Sequence, residues 1–115
     1  MIALSIFGSY LILNPKGREQ TGKRPVLVLS INEINKLPLV VTVVVGTKGT
    51  NISRDYPTNV RVSATESGLP LETVFLGFQI RSLDSTRFDS KLAGHLTEDK
   101  MTEIETAVRC YCLGL

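Results

Sequence analysis

The chain has 115 residues, of which 43% are hydrophobic and 21% are charged, and its formal net charge is +2. This size and composition fit one globular domain over residues 1–115 and argue against a disordered chain, and the small net charge means that any surface for nucleic acid must be local. No segment reaches the ~20 apolar residues of a membrane span, and the apolar N-terminus lacks the basic start of a signal peptide, so we expect a cytoplasmic protein without membrane contact.

Short β-branched runs separated by Gly, Pro and Asn predict a series of β-strands. In chain order we expect a bent first strand over Ile2–Phe7 and Tyr10–Leu13, then strands at Pro25–Ser30, Leu37–Val45, Thr58–Val62, Thr73–Leu83 and near Lys91–Leu96, with a turn at Ser67–Pro70. The valine-rich run Leu37–Val45 has the strongest β propensity. Residues Gly46–Pro57 are expected to form a long polar loop, and long loops in small domains are often functional. Phe75 and Phe78 are three apart, so they should face opposite sides of their strand.

The period of the pattern changes after residue 96 and predicts one C-terminal helix. Thr97 is a suitable N-cap, and acidic residues follow it at the positive end of the helix dipole. Met101, Ile104, Val108 and Tyr111 recur at spacings of three and four and predict one apolar stripe. Gly114 stands where a C-terminal cap is expected. The elements together favour a mainly β fold with a C-terminal α-helix, arranged as a small half-open barrel that the helix closes.

The two cysteines, Cys110 and Cys112, lie two positions apart on this predicted helix. Side chains at that spacing point about 200° apart, so we expect no disulfide between them. With the single histidine they supply too few ligands for a zinc site, and we expect neither a metal nor another cofactor.

The most informative segment is Gly17–Ser30, where a charged, glycine-containing loop leads into an apolar strand. Pro25 fixes its own φ angle and favours an extended backbone at Arg24. The guanidinium of Arg24 offers several donors in a fixed fork, which suits the oxygens of a phosphate. Glu19 on the same loop could accept a proton or orient the arginine. Spacing alone leaves open the alternative of a weak loop ion pair between Glu19 and Arg24.

A set of short motifs extends this segment along the chain. The motifs are Asn14-Pro15, Gly17, Glu19-Gln20, Gly22, Arg24-Pro25 before a Val/Leu strand, Ser67-Gly68-Leu69, Thr73-Val74 and Gln79-Ile80-Arg81-Ser82-Leu83-Asp84. Over residues 8–115 the pattern resembles the MazF/PemK toxins of bacterial toxin–antitoxin systems. The resemblance implies an SH3-like barrel of the MazF/PemK/CcdB type that forms a homodimer with an RNA groove across the dimer face. It also implies a sequence-selective endoribonuclease for single-stranded RNA, inhibited by a cognate MazE-like antitoxin whose extended C-terminal segment occupies that groove.

The resemblance assigns three catalytic candidates. Arg24 matches the catalytic arginine of the family, Glu19 the acidic residue that some members use, and Thr47 the hydroxyl residue near the scissile phosphate. RNA carries its own nucleophile, the 2′-hydroxyl, so cleavage to a 2′,3′-cyclic phosphate and a 5′-hydroxyl needs no metal and no Ser/His/Asp triad. Some members place a catalytic Arg and Asp where this chain has Leu76 and Phe78. Catalysis in this chain is therefore expected to depend on Arg24 and Thr47.

Basic and amide residues around these candidates are expected to contact RNA: Lys16, Arg18, Gln20, Lys23, Lys48, Arg54, Gln79 and Arg81. Lys48 and Arg54 could instead be ordinary solvated charges, and Arg81 could pair with Asp84. For the whole chain, the alternative is a non-catalytic member of the same fold, either a DNA gyrase poison like CcdB or a module that only binds antitoxin. Cleavage requires the Arg24 loop and Thr47, whereas gyrase poisoning does not.

Overall fold

The computed structural model describes residues 9–13, 24–31, 40–84 and 94–115. They form a six-stranded antiparallel sheet in the order β4-β5-β3-β2-β1-β6. The strands are β1 Ser9–Leu13, β2 Arg24–Val28, β3 Val40–Lys48, β4 Asn59–Val62, β5 Thr73–Asp84 and β6 Gly94–His95. The expected class, mainly β with a C-terminal helix, is confirmed, and the sheet is open rather than a closed barrel, with β4 and β6 at its edges.

The strand β3 is longer at its C-terminal end than the sequence predicted. Val45 was the expected end, but Gly46, Thr47 and Lys48 continue the strand because they pair with Thr73–Phe75 of β5. A 3₁₀ turn at Gly49–Asn51 follows directly. The predicted loop therefore begins at Gly49, and Thr47 lies on the sheet. The predicted strand over Ile2–Phe7 lies outside the described residues.

Two apolar clusters form on opposite faces of the sheet because alternate residues of a strand point to opposite sides. On one face, Leu27 and Val44 pack with β4, β5 and the C-terminal helix. On the other face, the cluster contains Val26, Val28, Val41, Val43 and Val45. The continuous apolar character of β2 and β3 thus reflects strands that are buried on both faces.

A short helix, α1 (Ala64–Ser67), was not predicted and precedes the turn at residues 68–71. The Ser63 side chain accepts a hydrogen bond from the backbone N–H of Glu66, and the Glu66 side chain accepts one from the backbone N–H of Ser63. This reciprocal capping box starts the helix, and Gly68 ends it with a φ of 78°.

The C-terminal helix α2 (Glu98–Thr106) is capped as predicted, because the Thr97 side chain accepts from the backbone N–H of Lys100. A π-helical turn at Ala107–Cys112 follows, and Gly114 has a φ of 71°. Met101, Ile104 and Val108 are buried, but the prediction for Tyr111 is wrong, since this side chain is 60% exposed. Because a π-helical turn has more residues per turn than an α-helix, residues after Val108 no longer continue the apolar face of the helix. Within the described ranges, neither helix is long and apolar enough to cross a membrane.

The strand β5 carries a bulge next to its buried half. Gly46 pairs with Phe75 and Val44 with Ile80, so Leu76–Gln79 lie opposite Val45 alone. Phe75 is fully buried in the core and Phe78 is 57% exposed, so the two rings have different environments. The segment Leu76–Gln79 is here called the β5 bulge, and its first residue, Leu76, still pairs with Asn59 of β4.

The β5 bulge is hydrogen-bonded to the end of the loop that precedes β4. The backbone N–H of Gly77 donates to the carbonyl oxygen of Thr58 at 2.8 Å. A Cβ atom at Gly77 would lie 2.6 Å from the same oxygen. The close approach of these two backbones therefore requires glycine at this position.

Candidate nucleic-acid interface

Two predicted catalytic residues lie at the paired ends of β2 and β3. Val26, Leu27 and Val28 pair with Val45, Val44 and Val43. Continuing this antiparallel register by two residues places the backbone of Arg24 opposite Thr47. Gly46 permits close packing here, because a Cβ atom on it would be 3.1 Å from the carbonyl oxygen of Pro25. The Arg24 side chain and all of Glu19 lie outside the described part of the chain.

The hydroxyl of Thr47 has a defined partner. Thr47 is half-buried, and its Oγ1 accepts a hydrogen bond from Nδ2 of Asn51 at 2.9 Å. Asn51 ends the 3₁₀ turn that follows β3, so the turn brings it back towards the strand. Sequence reasoning missed Asn51, because a spacing of four residues outside a helix predicts no contact. Only the tight turn creates this pair.

Arg61 on β4 holds the loop that contains this turn. Its guanidinium donates to Oδ1 of Asp55 at 2.8 and 3.0 Å and to Oε1 of Glu72 at 2.8 Å. It also donates to the carbonyl oxygens of Gly49 at 3.1 Å and Ile52 at 2.8 Å. The hydrogen bond to Asp55, followed by the one to Glu72, raises the pKa of Arg61 above its usual value. The Arg61 guanidinium thus joins both ends of the turn to β4 and to Glu72, the residue before β5.

A cleft lies between this loop and the β5 bulge, with a volume of about 440 Å³. We call it the loop–bulge cleft, and its lining residues are Asn51, Ile52, Ser53, Arg54, Tyr56, Thr58, Asn59, Leu76, Phe78 and Gln79. The structure therefore brings together the predicted RNA-binding residues Arg54 and Gln79. It adds two aromatic side chains that sequence reasoning did not assign to RNA, Tyr56 and Phe78, which are 53% and 57% exposed. Exposed rings beside an arginine and amides can stack on and hydrogen-bond to unpaired nucleobases.

A second groove, of about 230 Å³, lies at the C-terminal end of β3. It is lined by Pro25, Lys48 and the segment 69–73. Lys48 is therefore next to the residue that follows Arg24, whereas Arg81 is exposed on β5 opposite Val43 and lines neither depression. The other predicted RNA contacts, Lys16, Arg18, Gln20 and Lys23, lie outside the described residues.

The described ranges contain no group of three or more His, Cys, Asp or Glu side chains that could hold a metal ion. Cys110 and Cys112 are free and half-buried. Burial raises the pKa of the Cys112 thiol, which makes it a poor nucleophile at neutral pH.

Comparison with known proteins places the chain among bacterial toxins. Residues 10–111 match the family model for the PemK-like, MazF-like toxin of type II toxin–antitoxin systems. The protein named Endoribonuclease MazF from Staphylococcus epidermidis is 37% identical over 93 residues, which cover 81% of this chain and 76% of that protein.

Solved structures share the fold. A MazE–MazF crystal structure (Form-II) from Deinococcus radiodurans matches with a TM-score of 0.73 and 25% identity, covering 94% of this chain and 93% of that one. An endoribonuclease in complex with its cognate antitoxin from Mycobacterial species matches with a TM-score of 0.76 and 24% identity, covering 96% and 95%. From the family match and the staphylococcal relative together, we conclude that this chain belongs to the PemK-like, MazF-like toxin family of type II toxin–antitoxin systems.

Proposed function

We propose that this toxin is an endoribonuclease that cuts single-stranded RNA by attack of a 2′-hydroxyl on the neighbouring phosphorus, without a metal ion. Endoribonuclease is the name of its staphylococcal relative. The observation that supports the proposal is the register of β2 and β3, which, continued two residues beyond the Val26–Val45 pair, brings the backbone of Arg24 opposite Thr47, near the loop–bulge cleft. The products are a 2′,3′-cyclic phosphate and a 5′-hydroxyl.

In this proposal the catalytic residues share the work of charge stabilisation and proton transfer. Arg24 stabilises the negative charge that gathers on the phosphoryl oxygens, because a guanidinium stays protonated at every physiological pH. Thr47 donates a hydrogen bond from its hydroxyl to one of those oxygens. Glu19 accepts the proton of the attacking 2′-hydroxyl or orients Arg24. The bond from phosphorus to the 5′-oxygen breaks as the 2′-oxygen bonds to phosphorus, and the leaving 5′-oxygen takes a proton from solvent water. The protein also aligns the hydroxyl with the phosphorus, which lowers the entropic part of the barrier.

The loop–bulge cleft is proposed to hold the unpaired bases next to the cut. Tyr56 and Phe78 offer rings for stacking, and Gln79 and Arg54 offer hydrogen-bond donors that select among bases. Lys48 in the second groove contacts the phosphate backbone. The remaining proposed RNA contacts are Lys16, Arg18, Gln20, Lys23 and Arg81.

The cognate antitoxin is proposed to inhibit the toxin by occupying the RNA surface. The Deinococcus radiodurans relative is crystallised as a MazE–MazF pair, which supports a MazE-like partner for this chain. An extended C-terminal segment of that partner would cover the loop–bulge cleft. We further propose that the active form is a cytoplasmic homodimer, with RNA crossing both subunits.

The direct test incubates the purified protein with a long single-stranded RNA in excess EDTA and maps the new ends. Discrete cuts with 5′-hydroxyl ends are expected. The variants Arg24→Ala and Thr47→Ala should each slow cleavage by about 10²-fold or more, as is found when one transition-state donor is removed. Arg109→Ala is the matched control, since it removes the same charge from an exposed arginine on the π-helical turn and should cut like wild type.

Each alternative gives a different result in the same test. Intact RNA together with inhibited DNA supercoiling by gyrase would support the gyrase poison. Intact RNA with tight antitoxin binding would support a module that only binds antitoxin. Cleavage that EDTA abolishes and added Mg²⁺ restores would contradict the metal-independent reaction.

A further inference from the structure

We infer that Asn51 is a positioning residue for cleavage, which orients the hydroxyl of Thr47 so that its proton faces the RNA. This inference rests on the proposed function and adds to it a residue outside the set that the sequence pointed to. Asn51 acts through Thr47 and does not itself touch the reacting atoms.

The direction of the hydrogen bond carries the argument. Nδ2 of an asparagine is a donor, so Oγ1 of Thr47 is the acceptor in their 2.9 Å contact. A hydroxyl has one proton and two lone pairs, and this contact uses one lone pair and leaves the proton free to donate. No acceptor among the described residues takes that proton. A hydroxyl that accepts a hydrogen bond is also a stronger donor, because hydrogen bonds in a chain polarise one another.

The turn that carries Asn51 is held by other contacts. The backbone N–H of Gly49 donates to the carbonyl oxygen of Glu72 at 2.9 Å, and that of Ile52 donates to the carbonyl oxygen of Gly49 at 3.1 Å. Arg61 also donates hydrogen bonds to the carbonyl oxygens of Gly49 and Ile52. Removal of the Asn51 side chain should therefore leave the turn in place.

The position of Asn51 joins this pair to the RNA surface. Asn51 lines the loop–bulge cleft, in which the exposed Phe78 also lies. The hydroxyl that Asn51 orients is thus at the border of the cleft that would hold the bases. A threonine with a free rotor would spend part of its time with the proton turned away from the phosphate, and the hydrogen bond removes that freedom.

The test measures single-turnover cleavage of a short fluorescent RNA that contains a mapped cut site, in EDTA, over a range of enzyme concentrations. Asn51→Ala should lower the maximal cleavage rate by about 10-fold, which is less than the roughly 10²-fold expected for loss of a transition-state donor. The enzyme concentration that gives half of the maximal rate should stay within about twofold of the wild-type value. The same substitution should change the rate by less than about twofold when Thr47 is already alanine, because residues that act as a unit are not additive. In a Thr47→Ser background, which keeps the hydroxyl, Asn51→Ala should again lower the maximal rate by the full amount, about 10-fold.

Two further variants separate orientation from structure. Thr50→Ala changes an exposed neighbour in the same 3₁₀ turn and should leave the rate unchanged. Asn51→Asp replaces the donor with a carboxylate that accepts the Thr47 proton, so it should be slower than Asn51→Ala when Thr47 is present and equal to it when Thr47 is alanine.

The outcomes are distinct. Failure of wild type to cut any RNA would refute the proposed function itself. Normal cutting by wild type, slow cutting by Thr47→Ala and normal cutting by Asn51→Ala would overturn only the role of Asn51. A rise in half-saturation with an unchanged maximal rate would also overturn it, since Asn51 would then bind RNA directly. If Thr47→Ala has no measurable rate, the Asn51→Ala single variant decides the question. A lower maximal rate with an unchanged half-saturating concentration supports the positioning role, and the reverse result overturns it.

Discussion

Replacement of Gly77 by alanine tests whether the β5 bulge depends on a close backbone approach. The new Cβ would lie 2.6 Å from the carbonyl oxygen of Thr58, well inside contact distance. That oxygen cannot retreat cheaply, because it accepts the Gly77 N–H at 2.8 Å. Overpacking costs about 1–3 kcal/mol and the weakened hydrogen bond about 1 kcal/mol more, so Gly77→Ala should lower the free energy of unfolding by about 2–4 kcal/mol.

Urea unfolding followed by circular dichroism measures this loss. The Cβ would also approach Sγ of Cys112, at 3.3 Å, and this second contact needs its own control. The double variant Gly77→Ala/Cys112→Ala removes the sulfur but leaves the carbonyl, so it should recover little of the loss relative to Cys112→Ala alone. A loss below about 0.5 kcal/mol, the range of ordinary surface changes, or full recovery in the double variant, would refute the argument from the Thr58 backbone.

Three other changes probe the cleft, the core and a pH-dependent contact. Phe78→Ala should leave stability within about 0.5 kcal/mol but weaken RNA binding by about 1–3 kcal/mol, measured by fluorescence anisotropy in a Thr47→Ala background. Ile104→Ala removes a side chain that is 1% exposed and should lower the free energy of unfolding by about 2–5 kcal/mol in urea. The hydrogen bond from the Ser63 backbone N–H holds the pKa of Glu66 below its usual range. The ionised Glu66 therefore stabilises the folded protein at pH values above its usual pKa, and this stabilisation is lost as the pH falls through the pKa of the folded state. Glu66→Gln should therefore destabilise the protein at about pH 7, and this loss should shrink as the pH is lowered below the usual pKa of a glutamate; a loss that does not change with pH would contradict the linkage.

Much of the fold follows from local patterns that can be read without a structure. The strands β2 and β3 are continuous apolar runs because both of their faces are buried, and such runs predict strands directly. Thr97 and Gly114 mark the ends of the C-terminal helical segment because capping depends on neighbouring backbone groups. The buried stripe was predictable as far as Val108, where the π-helical turn begins to change the period.

The candidate site was only partly predictable. The motif around Arg24 pointed to the correct family, since motif residues are recognised by type and spacing. Thr47 was expected in a loop and lies on β3 instead, because its pairing with Val74 depends on a strand far away in the sequence. Arg61 gave no signal, since a charged residue in an alternating strand is most often a solvated surface residue.

The sequence by itself determined the short strands, the capped terminal helix and the arginine motif, because each depends on residues that are near one another along the chain. Only the tertiary structure decided that Asn51 donates to Thr47, that Arg61 ties the turn to β4 and Glu72, and that the β5 bulge forms one wall of a cleft. The first contact depends on the turn, which Glu72 and Arg61 hold in place. Those longer-range contacts depend on the register between strands, and register is set by which side chains pack together across the whole sheet.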